Sequence, residues 1–248
     1  MGTDFIAGII GLGQVGRQVE ALLERAECDI IVHDPPLGYE ALQEINDDAD
    51  VAFICVPTPS EPNSGFLDTI LVRYYVQHLE VPLIIIRSTL NPGDTERWAN
   101  ELEKVLVYSP AWGPGETIGH LFADMKLDPF IIVAGRKYAR KEALRIYEQL
   151  YPATVRFIEC SSTEAEIAKL AENSYLATKV TFFNDLYWVC GRVEADYDVV
   201  REILACDPRI GASHTFVFNG WSSKCLDKDV LAFASAGDGE AVLVETVI

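Results

Sequence analysis

The feature that most constrains the fold is a glycine-rich turn near the start of the chain, GLGQVG at residues 11–16. The apolar run FIAGII precedes it directly and a helix-like segment follows it. Gly11 permits a tight turn, Gly13 lets the backbone approach a pyrophosphate, and Gly16 lets the helix pack closely on the strand. The pattern therefore predicts a dinucleotide site at a helix N-terminus, which offers amide donors and a positive dipole. The predicted cofactor contacts in this turn are Gly11, Gly13, Gln14, Val15 and Gly16.

An acidic residue follows the second strand candidate at the expected distance. Asp34 ends the run IIVHD, eighteen residues after Gly16. A carboxylate there can accept from a ribose hydroxyl pair and would repel a 2′-phosphate, so we expect NAD rather than NADP.

Two further segments follow predicted strands and point to the same edge of the sheet. CVPTP follows the third strand and RSTLNPG follows the fourth. Ligands bind beyond the carboxyl ends of strands in such sheets. We therefore assign cofactor contacts to Val56, Pro57, Thr58 and Ser88, and expect Thr89 to face the same crevice.

The first part of the chain alternates short β-branched runs with helix-like segments, which predicts βαβ units on a mostly parallel sheet. Runs such as LIII are apolar on both faces, as in a sheet covered on two sides. We predict a doubly wound Rossmann-type α/β domain over residues 1–160. Its strand candidates are Phe5 to Ile10, Asp29 to His33, Val51 to Val56, Leu83 to Ile86, Val105 to Tyr108, Phe130 to Val133 and Val155 to Ile158, with helices near 14–26, 66–79, 93–104 and 137–150.

The pattern changes at Cys160. The segment SSTEAEIAKLAENSYLATKVTFFNDLYWVC contains no Pro or Gly before Gly191, and Thr163 with Glu166 fits a capping box. A long helix is the simplest interpretation, with a second over 194–206. We predict a smaller all-helical domain over residues 161–248.

Composition excludes several classes of protein. The 248 residues carry 38 acidic and 20 basic side chains, a net charge of −18, which argues against nucleic acid as a partner. No apolar run approaches the length of a membrane helix, and no signal peptide is expected at the N-terminus. Six scattered cysteines without CxxC spacing indicate no metal site and fit a reducing, cytoplasmic location.

Seven segments taken in order resemble those of the nucleotide-sugar 6-dehydrogenases, the UDP-glucose and GDP-mannose dehydrogenase family. They are GLGQVG, HD at 33–34, CVPTP, RSTLNPG, EIAKLAENSYLATKVTFFND, DPRIG at 207–211 and CLDKD. The resemblance implies oxidation of a sugar's primary alcohol to a carboxylate, with two NAD and a cysteine-bound intermediate. It also implies a homodimer through the long helix.

The resemblance assigns roles to individual residues. Cys225 corresponds to the nucleophile, and Asp229 to the residue that handles water and protons. Lys169 and Asn173 correspond to the pair that holds the substrate oxygen. Thr89 corresponds to the threonine of the family's STL segment, and Lys228 to the lysine beside the aspartate, which we assign to the cofactor.

The residue types fit this chemistry. Lys169 and Asn173 are four positions apart, so on a helix they share one face and can converge on one oxyanion. A helix that starts near Ser223 would place Cys225 in its first turn, where lysines and the helix dipole stabilise a thiolate.

The chain departs from the family at three places. Ala111 and Gly115 stand where the family has glutamates, with Glu116 one position late, and loss of a general base typically costs about 10² to 10⁴ in rate. GWSS at 220–223 replaces a glycine-rich loop. The chain also ends at Ile248, before the family's third, nucleotide-gripping domain.

Two other functions therefore stay open. One is a two-electron hydroxyacid or polyol dehydrogenase in which Lys169 is the acid-base group. The other is a catalytically inactive NAD-binding subunit of a larger complex.

Overall fold

The computed structural model describes residues 3–61, 63–112, 130–217 and 226–248. A seven-stranded sheet forms the centre of the first part of the chain. All seven strands lie where the sequence predicts them, with ends shifted by a few residues. The strands are β1 (Ile6–Ile10), β2 (Asp29–His33), β3 (Val51–Ile54), β4 (Leu83–Ile86), β5 (Leu106–Tyr108), β6 (Phe130–Gly135) and β7 (Arg156–Cys160).

The sheet order is β2-β1-β3-β4-β5-β6-β7. Every pair of neighbouring strands is parallel except β5 and β6, which are antiparallel. Because β2 lies on one side of β1 and β3 lies on the other, the winding direction reverses at β1, and ligands bind at such a switch point. The predicted α/β class with a mostly parallel Rossmann-type sheet is confirmed.

Helices cover both faces of the sheet, since alternate residues of each buried strand contribute to two different apolar clusters. Ile54 and Ile84 belong to a cluster that includes Trp98, whereas Phe53 and Ile85 belong to one that includes Tyr147. This explains why runs such as LIII carry no polar face. The helices are α1 (Gln14–Arg25), α2 (Leu42–Asp48), α3 (Ile70–His78), α4 (Asp94–Glu101), α5 (Lys137–Leu150), α6 (Ser162–Arg192), α7 (Tyr197–Ala205), α8 (Leu226–Ala236) and α9 (Val242–Val247).

The chain divides into two compact units. The first comprises Met1–Pro59 and Asp68–Lys169, and the second comprises Ser60–Leu67 and Leu170–Ile248. The segment 60–67 belongs to the second unit although it lies between β3 and α3 in sequence. Within that unit the Ser235 hydroxyl donates to the carbonyl of Ser64 at 3.1 Å.

The long helix α6 forms as predicted, but its predicted capping box is wrong. Ser161 and Glu164 form the box: the Ser161 amide donates to the Glu164 carboxylate at 2.7 Å, and the Glu164 amide donates to the Ser161 hydroxyl at 3.3 Å. Thr163 is exposed, and Glu166 is buried in contact with another helix. SSTEAE contains two overlapping capping patterns, and the structure uses the earlier one because the later carboxylate bonds elsewhere. Among the described residues, no helix is both long enough and apolar enough to cross a membrane.

Candidate functional site

Backbone conformation fixes Gly11, and packing fixes Gly16, in the turn between β1 and α1. Gly11 has φ +89°, a left-handed conformation that favours glycine, and a Cβ built on Gly16 would lie 2.0 Å from the carbonyl oxygen of Gly11. Apart from Gly13 itself and its two chain neighbours, no described atom lies within 4 Å of a Cβ built on Gly13, which caps α1. Gly16 is therefore required by packing, whereas Gly13 leaves open the space that a pyrophosphate would approach. Gln14 and Val15 begin α1.

Asp34 lies against this turn. It directly follows β2, and its Oδ2 accepts a hydrogen bond from the Leu12 amide at 2.6 Å. The structure thus brings the predicted ribose ligand to the glycine turn, 22 positions away in sequence. Burial lowers the pKa of the neighbouring His33, although Asp34 and Glu40 oppose that shift.

The loops that follow β3 and β4 are hydrogen-bonded to each other at the carboxyl edge of the sheet. The Ser88 hydroxyl donates to the Val56 carbonyl at 2.7 Å, which fixes the loop after β3 to the loop after β4. Thr58 is buried, Thr89 is half-buried and Pro57 is exposed. The predicted cofactor contacts of the first unit therefore lie at the carboxyl ends of four neighbouring parallel strands, β1 to β4, and the roles assigned to them stay predictions.

A buried carboxylate that the sequence did not single out for this role secures the loop after β4. Glu166, fully buried on α6, accepts from the Gly93 amide at 2.6 Å, the Thr95 amide at 3.0 Å and the Thr95 hydroxyl at 2.6 Å. Burial raises the pKa of Glu166, and these three bonds partly oppose the shift. Glu166 thereby satisfies amides at the N-terminus of α4, where a negative charge is favourable.

Lys169 contacts an aromatic ring. Its Nζ lies 5.3 Å from the ring centroid of Trp112, within the range of a cation–π contact. Trp112 belongs to the segment that follows β5, next to Ala111. The predicted oxygen-binding lysine is therefore held by an indole, a contact between residues 57 positions apart that no local pattern could predict.

The second unit brings together two of the predicted catalytic residues. Asn173 on α6 donates through Nδ2 to Oδ2 of Asp229 on α8 at 2.5 Å, across 56 positions of sequence. Lys228 Nζ lies 2.6 Å from Oδ1 of the same carboxylate. Asp229 is 1% exposed, and the Asn173 amide and the Lys228 ammonium each bond one of its two carboxylate oxygens. The role of Lys228 toward a cofactor stays a prediction.

Some predicted residues cannot be placed. Cys225 lies outside the described residues, directly before the first residue of α8, Leu226. Gly115, Glu116 and the segment GWSS also lie outside them. In the described part of the chain, no group of three or more His, Cys, Asp or Glu side chains is placed to hold a metal ion.

Part of the chain matches a known family. Residues 163–247 match the central-domain model of the UDP-glucose/GDP-mannose dehydrogenase family. This chain is similar to the UDP-glucose/GDP-mannose dehydrogenases. The UDP-glucose 6-dehydrogenase of Rickettsia typhi is 31% identical over 191 residues, which are 74% of this chain and 44% of that protein. The chain spans about half the length, or less, of the curated relatives that it matches first.

Solved structures show the same fold. A UDP-glucose dehydrogenase from Pyrobaculum islandicum superposes with a TM-score of 0.79 at 22% identity, over 98% of this chain and 67% of that one. A 3-hydroxyisobutyrate dehydrogenase from Mycobacterium tuberculosis, solved with L-serine, superposes with a TM-score of 0.73 at 16% identity, over 99% of this chain and 91% of that one. At these identities the likeness concerns the fold.

Proposed function

We propose that this chain carries out the NAD-dependent oxidation of a primary alcohol of a sugar nucleotide or related sugar. The observation that carries the proposal is the buried pair of Asn173 and Asp229, which joins two motifs inside the segment that matches the family's central domain. The glycine turn with Asp34 supplies the second support.

The residues of the first unit fit NAD. The amides at the start of α1 would hold the pyrophosphate above Gly13, and Asp34 would accept from the adenosine ribose. Ser88 and the loop Val56 to Thr58 would contribute further contacts to the cofactor. When bound, NAD supplies a hydride acceptor.

The residues of the second unit fit the binding of a substrate oxygen. An amide nitrogen carries two N–H donors. The bond to Asp229 uses one of them and fixes the plane of the Asn173 amide, so the second can donate to an alkoxide. Lys169, on the part of α6 that belongs to the first unit, keeps its predicted role of donating to the substrate oxygen, and Asp229 would exchange protons with water.

Cys225 is the proposed nucleophile for an aldehyde intermediate. Cys225 directly precedes α8 in sequence, and a helix N-terminus stabilises a thiolate. Attack of the thiolate on the aldehyde carbon forms a thiohemiacetal. Oxidation of that adduct to a thioester would need the hydride acceptor that a second NAD would supply, and water would then hydrolyse the thioester to the acid and the thiol.

The count of reduced cofactor separates this route from the alternatives. The four-electron route forms two NADH per substrate, and Cys225→Ala should abolish acid formation, whereas Cys206→Ala, which removes an exposed cysteine on another segment, should retain it. Formation of acid by Cys225→Ala at the wild-type rate would contradict the assignment. Saturable NAD binding without NADH formation, across a panel of sugar nucleotides and hydroxy acids, would instead support an inactive NAD-binding subunit.

A two-electron hydroxyacid dehydrogenase is the second candidate. Ala111 stands where the family has a glutamate, and the fold likeness to 3-hydroxyisobutyrate dehydrogenase extends over nearly the whole of both chains. In that reaction Lys169 would exchange the proton of the substrate hydroxyl. One NADH per substrate with a carbonyl product would decide for it.

A homodimer through α6 is proposed as the assembly. Tyr175, Phe182 and Val189 repeat every seven residues on this helix and are 63%, 57% and 57% exposed. A stripe at this spacing is typical of a helix that packs on a second helix. The expected cytoplasmic location stays a prediction.

A further inference from the structure

The contact between Trp112 and Lys169 carries an inference beyond the roles assigned above. Trp112 is half-buried and packs against the apolar cluster beneath the sheet. Its ring also meets Phe130 edge to face, with centroids 5.7 Å apart and planes at 61°. The apolar cluster and Phe130 therefore fix the indole in place, and the Lys169 ammonium lies 5.3 Å from the centroid of its ring.

An indole acts on an ammonium differently from a carboxylate. The ring attracts the cation through its quadrupole, but it carries no net charge and exchanges no proton. It can therefore fix the end of a flexible lysine without neutralising it. A lysine has four rotatable side-chain bonds, and an oriented ammonium loses less freedom when it binds a substrate oxygen.

We propose that Trp112 is a positioning residue that holds the Lys169 ammonium in the orientation in which it donates to the substrate oxygen. The inference rests on the proposed function for the identity of that oxygen, and on the structure alone for the contact. The expected contribution is about 2- to 30-fold in rate, the range that cation–π contacts span between exposed and desolvated sites.

The contact can be tested without activity. In protein labelled with ¹³C at the lysine Cε, the Lys169 resonance is assigned by its loss in Lys169→Arg. We expect it upfield of the other lysine signals because of the indole ring current. Trp112→Leu should remove this shift, Trp112→Phe should retain part of it, and Tyr138→Leu, which removes an exposed ring on α5, should leave it unchanged.

The positioning role is then tested by kinetics on the same variants. We expect Trp112→Leu to lower kcat about 2- to 30-fold, with the Kd for NAD unchanged and partial recovery in Trp112→Phe. A purely structural role would instead lower the melting temperature and weaken NAD binding together.

Three results would separate the inference from the proposed function. An unchanged Lys169 resonance in Trp112→Leu would overturn the contact, and a lost shift with unchanged kcat would overturn the positioning role. Absence of NADH formation by the unsubstituted chain with every substrate would overturn the proposed function, and the positioning role with it, while the resonance would still decide the contact.

Discussion

At the scale of single residues, Glu166 is a buried carboxylate whose hydrogen bonds can be tested by substitution. Its two carboxylate oxygens accept three hydrogen bonds from Gly93 and Thr95 while the side chain is fully buried. If glutamine replaced Glu166, its amide oxygen could still accept from one set of donors. Its amide nitrogen, in place of the second oxygen, would face an N–H donor. A buried donor that loses its acceptor costs about 1–3 kcal/mol.

We therefore expect Glu166→Gln to lower the free energy of unfolding by about 1–3 kcal/mol, as measured by urea denaturation. Glu142→Gln is the matched control, because Glu142 is 47% exposed and pairs with Arg145 on the same helix. Its expected effect is below about 0.5 kcal/mol. Equal losses in the two variants would show that the buried contacts of Glu166 contribute nothing specific.

The same carboxylate predicts a pH dependence. Burial raises the pKa of Glu166, and burial also raises the pKa of Asp94, which Arg97 opposes. When folded, both groups keep their protons to a higher pH than when unfolded. Their contribution is therefore fully present below the ordinary carboxyl pKa, and is lost as pH rises through the raised values.

Urea midpoints measured from about pH 4 to about pH 8 should show this loss in the wild type and a shallower one in Glu166→Gln, which keeps only the Asp94 part. Identical pH profiles would mean that Glu166 ionises in the folded state as it does in the unfolded chain.

At the scale of elements, the sequence predicts strands and the long helix well, because apolar runs and uninterrupted helix formers are local properties. It does not predict that β5 and β6 are antiparallel, since a run such as FIIV is apolar on both faces in either direction. It also misses α2, of which only Ile45 is buried. The predicted capping box of α6 was wrong because Glu166 bonds Thr95, a residue 71 positions away that local sequence cannot indicate.

In the candidate site, too, the sequence predicts features with a fixed local spacing but not contacts between distant residues. The glycine turn and Asp34 could be found because the fingerprint fixes their spacing, and the structure brings them together. The ring of Trp112 beside Lys169 could not be found, because nothing in the sequence near either residue specifies a partner on another element.

The β1–α1 turn gives a prediction that separates packing from ligand binding. Gly16→Ala would place a Cβ 2.0 Å from the Gly11 carbonyl oxygen, so we expect a loss of about 3 kcal/mol in unfolding free energy. Gly13→Ala meets no described atom within 4 Å and should cost less than about 1 kcal/mol.

Gly13→Ala should weaken NAD binding although it costs little stability. The new methyl group of Gly13→Ala would stand where the pyrophosphate approaches the backbone, and loss of a hydrogen bond to a charged group weakens binding about 10- to 100-fold. Calorimetric titration of the folded variant with NAD measures this. Unchanged affinity would place the cofactor elsewhere.

For the whole molecule, charge and exposed apolar surface act against each other. Each chain carries a net charge of −18, which opposes association, while the stripe of Tyr175, Phe182 and Val189 on α6 favours it. In a symmetric dimer a substitution acts at both copies of the contact. Phe182→Asp should therefore raise the dimer dissociation constant by at least about 10²-fold, because burying each phenylalanine contributes about 1.5–3 kcal/mol.

Salt distinguishes an apolar contact between like-charged chains from one held by ion pairs. Between about 0.1 M and about 1 M salt the screening length falls from roughly 10 to 3 Å, so repulsion between the two chains weakens. The dissociation constant, measured by sedimentation, should fall over this range in the wild type and in Tyr138→Asp, a control at an exposed ring on α5. A dissociation constant that rises with salt would indicate that complementary charges hold the dimer, and a monomer at every concentration would remove α6 as the interface.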